Sequence, residues 1–176
     1  GCYVPSLDCG TECSDARPDV YAYKGNFQDL IKYGKFPGKI NCWDTSKITN
    51  MDKAFDNNEY FNDPIGCWDT SKVTSMHKMF FSADAFNQSL DSWNVSQVSD
   101  MDIMFDGAYS FNQSLDSWDV SQVSDMGFMF AGADSFNQPL DSWDVSQVKT
   151  TQGMFNGADS FNQPLDTWDV SQVMDM

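Results

Sequence analysis

The sequence predicts an α/β-type solenoid: a right-handed stack of short units with a parallel β-sheet on one face and short helical or 3-10 turns on the other. Three observations carry that prediction. Strings close to FNQSLDSWDVSQVSDM, residues 111–126, also begin at Phe86, Phe136 and Phe161. Trp43, Trp68, Trp93, Trp118, Trp143 and Trp168 follow one another at intervals of 25 residues without a slip. Within each unit the apolar spacing changes from two to three. A strict period between about 20 and 50 residues marks a chain whose units bury their apolar faces only against one another.

Residues 1–20 read as a Cys-rich segment. CYVPSLDCGTEC holds Cys2, Cys9 and Cys13, with little that could form a core. Cysteines in such a setting point to disulfides and an oxidising compartment. A zinc site is the weaker reading, because His77 is the single histidine and the cysteines are not paired as C-x-x-C. Residues 21–35 read as a capping helix region. Asn26 is placed to cap NFQDLIKYGKF, Asp29 stands three residues on, and Gly34 follows the last turn. Phe27, Leu30 and Ile31 would share one face and cover the first unit.

Residues 36–176 hold the repeats. In LDSWDV, Trp118 and Val120 alternate with Ser117 and Asp119, the period of a strand, with Leu115 three residues before Trp118. Stacking would set equivalent strands side by side about 4.8 Å apart. Val123, Met126 and Met129-Phe130 follow at spacings of three, which suits a helical or 3-10 turn. Gly107, Gly132 and Gly157 come two residues after Phe105, Phe130 and Phe155, where a turn can require positive φ. The FNQ segment turns the chain toward the next strand, and its Asn can satisfy backbone groups there. The Trp column, Trp43 to Trp168, is the expected repeat core, with the Phe, Met and Leu columns beside it. Cys42 and Cys67 stand one unit apart, directly before Trp43 and Trp68. In-register strands would bring their Cα atoms within about 4.4–6.8 Å, so a Cys42–Cys67 disulfide is expected. It would leave one N-terminal cysteine unpaired.

The string W-D-[TV]-S-x-V-x-x-M-x-x-M-F-x-x-A-x-x-F-N-x-[PS]-L, matched over residues 36–176, resembles the BspA-like surface-protein repeats. These are leucine-rich-repeat relatives found in mycoplasma lipoproteins, lactic-acid bacteria and some protists and algae. The resemblance implies a leucine-rich-repeat-like stack and a cell-surface or secreted protein used in adhesion or surface assembly. It implies no enzymatic activity. The segment KTTQ, residues 149–152, departs from the pattern, with Thr151 in a Met column, and a local irregularity is expected there.

The net charge is −16, unevenly spread. Residues 1–80 carry 9 Lys/Arg against 11 Asp/Glu, and residues 81–176 carry 1 against 15. Nucleic acid and anionic membrane both need a basic footprint and are poor partners. No apolar run approaches the ~18 residues of a membrane span, so no membrane insertion is expected in this segment. Asp44, Asp69, Asp119, Asp144 and Asp169 should line up on the strand face, with Asn94 interrupting. Asp91, Asp116, Asp141 and Asp166 make a second row. Stacked carboxylates repel unless a cation lies between them, so the first row is a candidate Ca²⁺ site. The competing reading has each Asp bonded to local backbone, with its charge solvated. Acid–base catalysis needs carboxylates in different environments, and identical repeats do not supply them. His77, in a column otherwise Asp, Gly or Gln, reads as an incidental exposed side chain.

N-x-[ST] motifs stand at Asn87, Asn94 and Asn112. Asn94 is the best glycosylation candidate, because Asn87 and Asn112 belong to the polar Asn column. The repeats are expected to continue beyond Met176 or to dock another subunit there. The expected function is non-enzymatic: an extracellular or cell-surface repeat protein acting in adhesion, or in assembly of a surface appendage or filament, through contacts with other protein chains. The alternative is a binding module whose acidic face captures Ca²⁺, carbohydrate or a basic partner, with no other cofactor.

Overall fold

The stack is organised by which backbone NH groups point along it. The computed structural model describes residues 9–13, 17–20, 26–33 and 38–175. In the unit that begins at Met101, the NH groups of Met101, Ile103, Phe105 and Gly107 donate to Asp125, Gly127, Met129 and Ala131 of the next unit, at 2.8–3.0 Å. The intervening NH groups of Met104, Asp106 and Ala108 close turns onto Met101, Ile103 and Phe105. The same alternation runs through residues 51–58 and 76–83 and on through 126–133. In the turns closed at Met104 and Ala108 the third residue, Ile103 or Gly107, has positive φ, 61° and 71°. A turn closed by an i to i+3 bond with positive φ at its third residue is of type II. The glycine positions met the expectation of positive φ: Gly107, Gly132 and Gly157 lie at 71°, 61° and 75°. The turns they serve are not helical.

The expected parallel sheet does not form. Among the described residues, strand pairing amounts to isolated parallel bridges, one between each pair of neighbouring units, such as Asp100 with Asp125 and Asp125 with Thr150. Between repeats these bridges lie in the SDM segment, not in LDSWDV; at the head of the stack Asp19 also bridges Asp44, in the first unit's counterpart of LDSWDV. In LDSWDV itself, the NH of Trp118 closes onto Leu115 O at 3.1 Å and Val123 NH onto Val120 O at 2.9 Å, so the chain bends at both ends of the segment. The alternation of burial is real: Trp118 and Val120 are buried, while Ser117 and Asp119 are exposed. A period of two reports which side each residue faces; it does not report where the backbone finds its partners. The expected helical or 3-10 turns on the opposite side are also absent from the units. Among the described residues, the bounded helices lie at or before Cys42: α1 (Cys9–Glu12), α2 (Phe27–Tyr33) and a 3-10 turn over Ile40–Cys42.

The columns form the core. Phe80, Phe105 and Phe130 stack in register, with centroids 5.4 and 5.6 Å apart and planes within 4°. Within a unit, Phe105 stacks on Phe111 at 4.1 Å. The Trp column lies inside: Trp43, Trp68, Trp93, Trp118 and Trp143 are buried and Trp168 is partly buried. Each indole from Trp68 onward also ties two units together. Trp118 Nε1 donates to Leu90 O at 3.2 Å and Trp143 Nε1 to Leu115 O at 3.1 Å. The KTTQ segment brings no irregularity to the ladder. Phe128 NH still donates to Gln152 O and Thr151 NH to Asp175 O, at 2.8 and 2.9 Å, because backbone bonds do not depend on the missing Met side chain.

At the head of the stack, Asn26 Oδ1 accepts the NH of Asp29 at 2.7 Å, satisfying a free donor of the first turn of α2. Phe27 meets Trp68 edge-on at 5.4 Å and Leu30 is fully buried. Gly34 lies outside the described residues, as does Cys2. The expected Cys42–Cys67 bond is replaced by two others, Cys9–Cys67 and Cys13–Cys42. The reason is geometric. Equivalent positions in parallel register point their Cβ atoms the same way, which disfavours a direct bridge. Cys9 opens α1 and Cys13 directly follows it, its NH bonded to Cys9 O at 3.2 Å, so the two lie about one turn apart, a separation close to the unit spacing. Asn41, buried between the two units, accepts the NH of Cys67 at 3.0 Å and donates to Glu12 at 3.0 Å.

Two expectations follow. Trp118→Ala should destabilise the fold by about 3–5 kcal/mol, the usual cost of emptying a large aromatic site. The loss should appear as a lowered midpoint for the whole thermal transition, since adjoining units share the contacts. An unchanged midpoint would contradict the inside position of the column. Reducing both disulfides should cost roughly 2–4 kcal/mol for each. Chemical denaturation with and without reductant measures it, and amide exchange should show the loss concentrated at α1 and the first two units.

Candidate functional site

The repeats present three polar lines, and their geometry separates structural work from possible chemistry. The first is the row expected to hold a cation. Asp44, Asp69, Asp119, Asp144 and Asp169 each accept, through Oδ1, the NH of the Ser two residues on, at 3.0–3.1 Å. Asn94 makes the same turn with Ser96 at 3.0 Å. Hydrogen bonds from Ser46, Ser71 and Ser146, hydroxyl first and then NH, hold the carboxyls of Asp44, Asp69 and Asp144 below the ordinary value. At Asp169 the Ser171 NH is the larger cause and the hydroxyl the second. Among the described residues no three His, Cys, Asp or Glu side chains converge as a metal site. The row is therefore a series of separate Asx-turns. Each carboxylate of the row expected to hold Ca²⁺ is thus turned toward its own Ser. In the second row, Asp91 and Asp116 are exposed; their NH groups donate to the Ser89 and Ser114 hydroxyls, and their backbone carbonyls accept the Ser117 and Ser142 hydroxyls of the next unit at 2.9 and 3.3 Å.

The second line is an amide ladder. Asn62, Asn87, Asn112 and Asn137 each accept, through Oδ1, the NH of the Asn in the next unit at 2.9–3.0 Å. The Gln of that next unit adds a bond from Nε2, as Gln113 does to Asn87 at 2.9 Å. Asn87 and Asn112 are half-buried and Asn94 is exposed.

The third line was not singled out from sequence. His77 Nδ1 lies 3.2 Å from Asp102 Oδ2, both side chains being about one quarter exposed. The His77 NH donates to Asp52 Oδ1 at 3.0 Å, and the Ser75 hydroxyl donates to the same oxygen. The His77 ring is thus half-buried and paired with Asp102, while Asp52 holds its backbone NH; it is not an incidental exposed side chain. The signal was present: 52, 77 and 102 are one period apart, so the column itself placed an acid on either side. Burial, then the nearby charge of Asp125, raise the Asp102 carboxyl, while His77 pulls it down. Asp106 is raised by burial.

At the last unit Met154, Phe155, Leu165, Trp168 and Val170 line an apolar concavity of about 370 Å³. In the earlier units the following unit covers the matching surface. Among the described residues no helix is long and apolar enough to cross a membrane.

With the repeat geometry in place, comparison with known proteins is direct. A family model described as "Mycoplasma protein of unknown function, DUF285" matches residues 23–127 and 92–176, so nearly the whole chain is covered. The chain belongs to this family. No curated protein and no solved structure matched it. The DUF285 assignment agrees with the period but carries no activity. The two disulfides point to a protein that folds outside the reducing cytosol.

The Asp102 geometry sets a pH expectation. A carboxyl raised in the folded state binds its proton more tightly there than in the unfolded chain. Its contribution favours folding at low pH and is lost as pH rises from the ordinary value of 3.8 through the folded value. The row carboxyls Asp44, Asp69, Asp144 and Asp169 act oppositely, their contribution being present above 3.8 and lost as pH falls through their lowered values. Asp102→Asn should therefore raise the thermal midpoint at neutral pH, with the gain disappearing in strong acid. A loss at neutral pH would show that the His77 pairing outweighs burial.

Proposed function

We propose that this DUF285 chain is a non-enzymatic repeat protein of the cell surface or extracellular space, of the BspA-like kind. It acts in adhesion, or in assembly of a surface appendage or filament, through contacts with other protein chains. One observation supports this most directly: the same exposed side chains recur on successive units in one register. Asp119, Asp144 and Asp169 sit in the same turn with the same Ser partner, one unit apart. A partner with regularly spaced contacts engages several equivalent points at once, and avidity multiplies weak single contacts. A regular line of exposed carboxylates favours a basic partner surface, which is the form of the ligand-capture alternative that the geometry supports. The disulfides agree with an extracellular setting.

The test is adhesion of the full chain displayed on inert beads, together with sedimentation of the free chain at rising concentration. Retention on cell or protein-coated surfaces, or formation of larger species, is expected. Salt near 1 M, where the screening length falls to about 3 Å, should weaken it. Beads that bind no surface, with a free chain that stays monomeric, would sink the reading.

A further inference from the structure

We infer that Asn94 is the N-glycan acceptor of this chain and that Asn87 and Asn112, which carry the same motif, are not. The inference depends on passage through an oxidising secretory compartment, to which the disulfides point, and is independent of the adhesion reading. In sequence the three are equivalent: Asn-Gln-Ser at 87 and 112, Asn-Val-Ser at 94.

The structure treats them differently. Asn87 Oδ1 accepts the Asn112 NH at 3.0 Å and Gln113 Nε2 at 2.9 Å, while the Asn87 NH donates to Asn62 Oδ1 at 2.9 Å. Asn112 repeats this with Asn137 and Gln138, at 3.0 and 2.9 Å. Each is a half-buried rung between equivalent carboxamides of the units on both sides. A glycan on Nδ2 of such a half-buried side chain crowds the adjoining units, and swinging the rung out to make room leaves the donors of the next unit unpaired, which is the costly way to lose a hydrogen bond. Asn94 is exposed. Its Oδ1 takes only local donors, the Ser96 NH at 3.0 Å and the Ser96 hydroxyl at 2.7 Å. The side chains beside it in the row, Asp69 and Asp119, are each turned onto their own Ser71 and Ser121. No link between units runs through the Asn94 side chain, so a sugar there displaces nothing. The hydroxyl that the motif requires already lies against the acceptor carboxamide.

The reaction is transfer from a lipid-diphosphate-linked oligosaccharide by a secretory-pathway oligosaccharyl transferase. Asn94 Nδ2 forms the new bond to the anomeric carbon and gives up one proton to an enzyme base. The bond from that carbon to the diphosphate oxygen breaks, and the lipid diphosphate leaves with its electron pair. No redox change occurs.

The test expresses the full chain in a eukaryotic secretory host and maps sites by enzymatic deglycosylation in heavy-oxygen water, which marks each former glycan site as a labelled Asp. Label predominantly at position 94 is expected. Asn94→Asp should abolish the glycan without loss of thermal stability, because Asp makes the same turn at 69 and 119. Ser96→Ala should also abolish it while keeping the Asn. A secreted, disulfide-bonded chain with no glycan would overturn the inference. So would label at Asn87 or Asn112 equal to or above that at Asn94.

Discussion

Everything in the stack depends on the alternation of backbone donors in the segment that starts each unit. One NH closes a turn within the unit, and the next crosses to the following unit. An extended strand splits its donors between its two edges. Here a residue of positive φ every four positions, Ile103 then Gly107, re-aims the chain so that four successive crossing donors leave by the same side. The carbonyls they meet, from Asp125 to Ala131, belong to the same segment one unit on. Register between units is therefore fixed by backbone, and side chains inherit it. That is why Phe rings from units 25 residues apart lie within a few degrees of parallel.

The polar side chains extend the same logic to the rest of the unit, where backbone cross-bonds are scarce. The Trp indole reaches back to a Leu carbonyl, the Asn carboxamide receives an NH from the next unit, and the Ser117 hydroxyl takes Asp91 O at 2.9 Å. Each of these groups would be costly to bury without a partner. The acidic rows differ, because their bonds are local. Asp119 fastens its own turn and leaves its charge outward. The carboxylates thus make the surface uniform without joining the units, whereas the amide ladder joins the units without charging the surface.

Much of this was legible in the sequence, and the failures share a cause. The 25-residue period, the buried Trp and Phe columns, the positive φ at Gly107 and the Asn26 cap all follow from local chemistry or spacing. The edge that carries the hydrogen bonds did not. LDSWDV alternates as a strand would, yet the alternation records only that Trp118 and Val120 face inward. The bonding segment, with Met101 and Met104-Phe105 spaced by three, looked helical because overlapping turns and helical turns share that spacing. The disulfides were misassigned for a related reason: the period pairs Cys42 with Cys67, but the segment of α1 lies outside the period and brings Cys9 and, just past the helix, Cys13. His77 shows the converse. The period did place it between Asp52 and Asp102, and reading the column across units, not along the chain, would have found the pair.

The third residue column of the bonding segment, at positions 53, 78, 103, 128 and 153, gives the units an order. All five residues have positive φ, yet they are Lys, Lys, Ile, Phe and Gly. The Phe128 ring lies over Gly153 so closely that a Cβ there would sit 2.5 Å from Phe128 Cε1. Whole-unit duplication keeps every backbone bond in phase, so a gene of this kind can lengthen by unequal exchange in steps of 25 codons. Shuffling is less free. A unit copied to follow the Phe128 unit fits without moving that ring when it carries glycine at that position, so the neighbour's ring weighs on which duplications pack without adjustment.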